Sequence, residues 1–190
     1  NVVYPLFFLL YIMLKLSYEK YGGKEMYRKY HYEFKLGTSE DRMILENLKN
    51  KNHSSYIKKS INVIYIYRLV DSDIPYPNKK GSVIYIGESC KNAQPTGLRF
   101  SQHIASSEFG ARGRNINYTL HKYYWNGVKL SLDIYDVGNV TRDERKAIER
   151  DLINAHIKIY GAPPIAQGTS GLLVDDIDKV DESKAQGYFG

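Results

Sequence analysis

The chain has 190 residues, a formal net charge of +6, a pI near 9.1, 18 tyrosines and a single cysteine, Cys90. One cysteine excludes an internal disulfide framework and a thiolate metal cluster, and the length suits one domain with a real core plus additions. Residues 172–190 carry five acids (Asp175, Asp176, Asp178, Asp181, Glu182) against Lys179 and Lys184, a net of −3 that leaves +9 on residues 1–171, a balance suited to a polyphosphate partner through counterion release.

Residues 1–14 (NVVYPLFFLLYIML) contain no charge and are too few to span a bilayer, which takes about 20 apolar residues. They read as a core helix with Pro5 in its first turn, or else as the end of a membrane anchor. Residues 17–37 are basic and tyrosine-rich without a clean period, and read as a DNA-contacting extension or a solvated connector. The stretch TSEDRMILENLKNK predicts a helix from Thr38. Thr38 caps it, Asp41 stands at its third position, and Met43, Ile44 and Leu48 form its apolar stripe. The expected organisation is a helical N-terminal extension over 1–60, a main domain over 61–171 and an acidic tail over 172–190.

From Asn62 the period changes to two. Val63, Tyr65, Tyr67 and Leu69 share one face of a first strand, and Val83, Tyr85 and Gly87 share one face of a second. The link DSDIPYPNKKGS, with two prolines, an Asn and a Gly, joins them as an antiparallel pair. A helix is predicted over 96–107, with Arg99 and His103 one turn apart on one face. A second helix is predicted over 114–124, and Asn126-Gly127 then turns the chain. KLSLDIYDV (129–137) alternates as a third strand, with Leu130, Leu132 and Ile134 on one face. The last helix is the clearest. Thr141 and Glu144 form a capping box, Ile148, Leu152, Ala155 and Ile159 recur at helical spacing, and Gly161-Ala-Pro-Pro stops it. The order β-β-α-α-β-α makes an α+β domain with a small three-stranded antiparallel sheet flanked by helices. The tail is expected to dock through Leu172, Leu173 and Val174.

Hydrolysing a phosphodiester requires a deprotonated water, compensation of the transition-state charge and a stabilised leaving oxygen. A strand phenol can orient the water, an arginine can pair two phosphate oxygens, and a carboxylate can hold Mg²⁺. Tyr65 and Tyr85 project from equivalent faces of their strands. Glu149 belongs to the row Glu149, Ile153, Ile157 beside the buried stripe, where a carboxylate is costly unless paired or bound to a metal. Arg145, one turn earlier, offers it an intrahelical ion pair.

The sequence order Tyr (VIYIY), Tyr-Ile-Gly (VIYIG), Arg and His (GLRFSQH), then Glu (AIERDLI) resembles the GIY-YIG nuclease family over about residues 62–168. The resemblance implies an active site of Tyr65, Tyr85, Arg99, His103 and Glu149. It further implies one divalent ion, Mg²⁺ or Mn²⁺, on Glu149, and hydrolysis of DNA with a tyrosine as base. It departs from the family pattern at Val63, in place of the first glycine, at Glu88, where some relatives carry lysine, and at Gln167, near a position where the family often has Asn. The tyrosines are also 20 positions apart, a longer spacing than is common in the family. Lys79 and Lys80 in the long link, Arg112, Arg114 and Lys122 beyond the arginine helix, and Gln167 are the expected nucleic-acid contacts. The other expectations are a homodimer for double-strand cleavage, no stable membrane association and a cytoplasmic or nucleoid-associated location. The alternative is a non-catalytic nucleic-acid-binding protein that keeps the same fold.

Overall fold

A computed structural model of the protein describes residues 27–110, 116–168 and 188–189. Its main sheet has four antiparallel strands, β1 (Tyr27–Phe34), β2 (Val63–Leu69), β5 (Val83–Ser89) and β6 (Leu130–Asp136), in the order β1-β6-β2-β5. Between β2 and β5 the link folds into a two-stranded ribbon, β3 (Ile74–Pro75) and β4 (Lys80–Gly81). The helices among the described residues are α1 (Met43–Asn47), α2 (Leu98–His103), α3 (Tyr118–Trp125) and α4 (Arg142–Tyr160). The chain is therefore α+β. No helix among the described residues is long and apolar enough to cross a membrane.

The sheet buries both faces. One packs against α4, with Ile64, Ile66 and Ile86 meeting Ile148, Leu152, Ile153 and Ile159. The other packs against α1, α2 and α3, with Val63, Tyr65, Tyr67 and Leu69 meeting Leu45, Leu48, Phe100 and Leu120. The shared face expected for Val63 to Leu69 is present. That expected for Val83 and Tyr85 is not. Tyr67 opposes Tyr85 while the next residue, Arg68, opposes Val83, so Ile84 is a bulge. Ile84 and Tyr85 both lie on the α1–α3 side, and Val83 turns to the α4 side.

The three-stranded sheet is corrected to four strands. β1 pairs with β6 along its length, so the extension read as helical contributes a strand. Tyr30, Tyr32 and Phe34 alternate onto the α1–α3 core. The register slips between Arg28 and Tyr30, so the alternation is confined to the short run from Tyr30 to Phe34. α1 also starts later than Thr38. The Thr38 hydroxyl donates to the carbonyls of Lys35 and Glu40 instead of capping a helix, and Asp41 accepts from the Met43 amide in a local turn. Met43 is exposed, and Leu45 and Leu48 carry the burial. α2 and α3 are shorter than their expected spans, and α3 is capped by Asn117, whose side chain accepts from the Leu120 amide at 3.1 Å.

α4 matches its expectation. The Thr141–Glu144 capping box is complete, and Gly161 closes the helix with φ +82°. Residues 1–26 and Leu172, Leu173 and Val174 lie outside the described residues. Tyr188 and Phe189 are the tail residues seen, buried against Tyr135, His156 and Tyr160.

Candidate active site

β5 is an edge strand, so every second amide and carbonyl along it points away from β2 and needs another partner. The Ile84 carbonyl takes the Ala166 amide at 2.8 Å, and the Ile86 amide donates to the Gln167 side-chain oxygen at 3.2 Å. Beyond Ile86 along the same edge, Glu88 is the residue whose backbone and charge act on the Glu149 carboxylate of α4. Glu149, though it stands on α4, feels the charge of Arg99 and acts on the Tyr85 phenol, groups that belong to the other face.

Those groups are the phenols and α2. Tyr65 is fully buried, with its ring 6.0 Å from that of Tyr85 and 5.1 Å from that of Phe100. Its hydroxyl receives Nε–H of Arg99 at 3.2 Å and faces Nε2 of His103 at 3.3 Å. Tyr65 lies opposite Gly87 across the strand pair, and its ring crosses that residue. A Cβ at Gly87 would stand 2.5 Å from Cζ and the hydroxyl of Tyr65. The glycine of the Tyr-Ile-Gly motif is therefore the space that the first tyrosine occupies.

The electrostatics follow from burial beside one cation. Burial pushes the Tyr65 phenol well above its ordinary range, repulsion from Tyr85 adds to this, and Arg99 opposes it. Burial also raises the Tyr85 phenol, Arg99 lowers it, and Glu149 raises it again. Burial and then Arg99 push the His103 ring well down, so it is neutral and can accept the Tyr65 proton at Nε2. Its Nδ1, like the hydroxyl of buried Tyr67 beside it, has no hydrogen-bond partner among the described residues. Arg99 keeps its charge, which the surrounding phenols support against the burial.

The Glu149 carboxyl is raised to about 7, first by burial and then by the neighbouring charge of Glu88. Arg145 does not relieve it, so the intrahelical pair read from the sequence is absent. Arg145 donates Nε–H to Glu88 and Nη1–H to the Asn62 side chain, the latter at 2.6 Å. This network was legible only as an arginine one turn from Glu149. Its real partners come from β5 and the residue before β2. Glu88 is thus held by an arginine of α4.

Among the described residues no group of three or more His, Cys, Asp or Glu gathers into a metal cage. The donor set fits a hard ion that keeps most of its waters, held by Glu149 alone. Such an ion needs few protein oxygens, and a cation would offset the crowding of charge that Glu149 feels from Glu88.

The expected site residues Tyr65, Tyr85, Arg99, His103 and Glu149 therefore meet at one edge of the sheet. The expected contact residues do not join them. Lys79 lies over the Tyr160 ring at 4.9 Å, and Lys80 sits on β4 beside it. Tyr160 is eleven residues beyond Glu149 on α4, about 16 Å along the helix. Lys122 lies over the Tyr118 ring of α3, 5.9 Å from its centre. The Gln167 amide oxygen is engaged by the β5 backbone, so its part here is to cover the strand edge. Arg112 and Arg114 lie outside the described residues. Comparisons with protein families, curated proteins and solved structures found no match.

Proposed function

We propose that this chain is a divalent-metal-dependent DNA endonuclease of the GIY-YIG type, which hydrolyses a phosphodiester at the Glu88 end of the β5 edge. One observation carries the reading. Two phenols, a guanidinium, an imidazole and a carboxylate, drawn from β2, β5, α2 and α4, converge at a strand edge.

Each group has a task suited to its surroundings. Arg99 stays charged and can pair two non-bridging oxygens as negative charge builds on the phosphate. Tyr65 is sealed from solvent. It holds Arg99 through Nε and directs its own hydroxyl toward neutral His103, which fixes the guanidinium. Tyr85 is only partly buried, so of the two phenols it is the one that meets an attacking water. Arg99 favours its ionised form and so favours proton acceptance there. Glu149 would hold Mg²⁺ or Mn²⁺. When bound, such an ion acts as a Lewis acid that lowers the pKa of a coordinated water and offsets phosphate charge. A chain with one such centre nicks one strand, and a double-strand cut takes two copies or two events.

A plasmid-nicking assay tests the reading. Nicking that requires Mg²⁺, stops in EDTA and is lost in Glu149→Ala and Arg99→Ala supports it. Either loss is expected to be a hundredfold or more, the scale of removing one transition-state donor. Normal turnover in either variant would sink it. Duplex binding without any cleavage by the parent chain would favour the non-catalytic binding protein.

A further inference from the structure

A cleft of about 640 Å³ opens beside the candidate active site, between the loop after β5 and the start of α4. Its size is that of a site for an organic ligand and not a lone ion. Arg99 forms one wall, so the cleft is continuous with the phenol cluster. Its lining includes the Glu88, Arg145 and Asn62 network, in which the one carboxylate is already engaged by arginine. Lys91 and Arg142 also line it, and neither makes a salt bridge among the described residues. Arg142 is exposed and Lys91 partly so. The cleft therefore has its negative charge neutralised and keeps three cations, Arg99, Lys91 and Arg142, facing one space. Such a space suits a chain of phosphates.

We infer that this cleft binds the phosphodiester backbone of the strand being cut, which runs from Arg99 past Lys91 to Arg142 at the start of α4. The inference rests on the nuclease reading and gives it a direction. The strand leaves toward the start of α4, away from the β3–β4 ribbon and Lys79 and Lys80, which lie at the other end of that helix. Lys91 and Arg142 bind and position, and neither takes part in the chemistry.

The test uses the full chain carrying Glu149→Ala, which is expected to bind without cutting. Affinity for a short fluorescent duplex is measured by anisotropy across a KCl series, with and without Lys91→Ala and Arg142→Ala together. The double change is expected to weaken binding tenfold or more at moderate salt. It should also reduce the slope of log K against log[salt] by about 1.8, the counterion term for two lost phosphate contacts. Thermal unfolding should be unchanged, since both side chains reach solvent. Unchanged affinity and slope would overturn the inference and leave the nuclease reading standing on its own nicking assay. A labelled 5′-mononucleotide that binds as tightly as the duplex would also overturn it, because the cleft would then be a small-anion site. If the parent chain neither nicks nor binds any duplex, both readings fall together.

Discussion

At the level of single residues, the site depends on one absent side chain and one crowded carboxylate. Gly87→Ala would place a methyl group within 2.5 Å of the Tyr65 ring, which is boxed in by Phe100 and His103 and cannot retreat. The expected result is a loss of about 1–3 kcal/mol of stability by denaturant titration, as for other overpacked cores, together with lost nicking. Glu149 ties stability to pH. Its unfolded carboxyl titrates near 4.5 and its folded one near 7, so the folded chain holds the extra proton between them. This contribution is fully present below pH 4.5 and is lost as pH rises through 7, on the order of 2 kcal/mol once partial exposure is allowed for. His103 and His156 have depressed values and act with the opposite sign, so the decisive quantity is a difference between chains. In EDTA, the parent should lose stability relative to Glu149→Gln between pH 5 and pH 8. At pH 8, Mg²⁺ should stabilise the parent by about 2.7 kcal/mol at a hundredfold excess over its dissociation constant, and should not stabilise Glu149→Gln. A flat difference would show that Glu149 is not the crowded group. At this scale the sequence was most informative. That Tyr65, Tyr85, Arg99, His103 and Glu149 belong to one neighbourhood was expected from the resemblance carried by their order, although the spacing of the tyrosines departs from it. What Arg145 does was not, because its partners are 57 and 83 positions away and no local pattern carries them.

Among the elements, those read correctly owe their form to local signals. The Thr141–Glu144 box starts α4, which bears Glu149 and opens beside the cleft. Thr141→Ala should cost about 1 kcal/mol in a urea titration, with the effect smaller for Thr141→Gly. The elements misread are those shaped by register or by competing side chains. In β1 the register slips at Arg28–Tyr30 and leaves a short alternating run from Tyr30 to Phe34, and in β5 the bulge at Ile84 puts Ile84 beside Tyr85 on the phenol side and turns Val83 away. Without that bulge strict alternation from Gly87 would put Ile84, not Val83, on the α4 side, so a one-residue irregularity sets which side chains surround the phenols. α1 was displaced because Thr38 and Asp41 satisfied nearby backbone groups in a turn. Periodicity cannot register such a choice, since capping and turn chemistry use the same residue types.

On the scale of the whole molecule, the α4 face of the sheet is closed from far along the chain. Tyr188 stacks edge-on with Tyr135, its carbonyl takes a hydrogen bond from Arg68, and the Phe189 carbonyl takes one from the Tyr160 hydroxyl at 3.3 Å. Arg68 also reaches Asp133, which is bonded in turn by His31 at 2.7 Å, so β1, β2, β6 and the tail share one buried carboxylate. Ending the chain at residue 187 should lower stability by about 3–5 kcal/mol, the scale of emptying a buried aromatic site, and a melting curve unmoved by the truncation would refute the docking. The docking expected at Leu172–Val174 lies outside the described residues, and Tyr188 and Phe189, two aromatics beside glycines, carried no signal in the sequence.

The position of that clasp bears on how the protein is made. Synthesis runs from the first residue to the last, and small folding units ordinarily form as they emerge. Here β6 cannot gain both neighbours until more than a hundred residues beyond β1 have been made. The face under α4 then waits for residue 189. The sheet edge that gathers the phenols, Arg99 and Glu149 needs only the chain up to Gln167, which covers it, whereas a nascent chain stalled before residue 188 would present the ribosome with an unfinished core under α4.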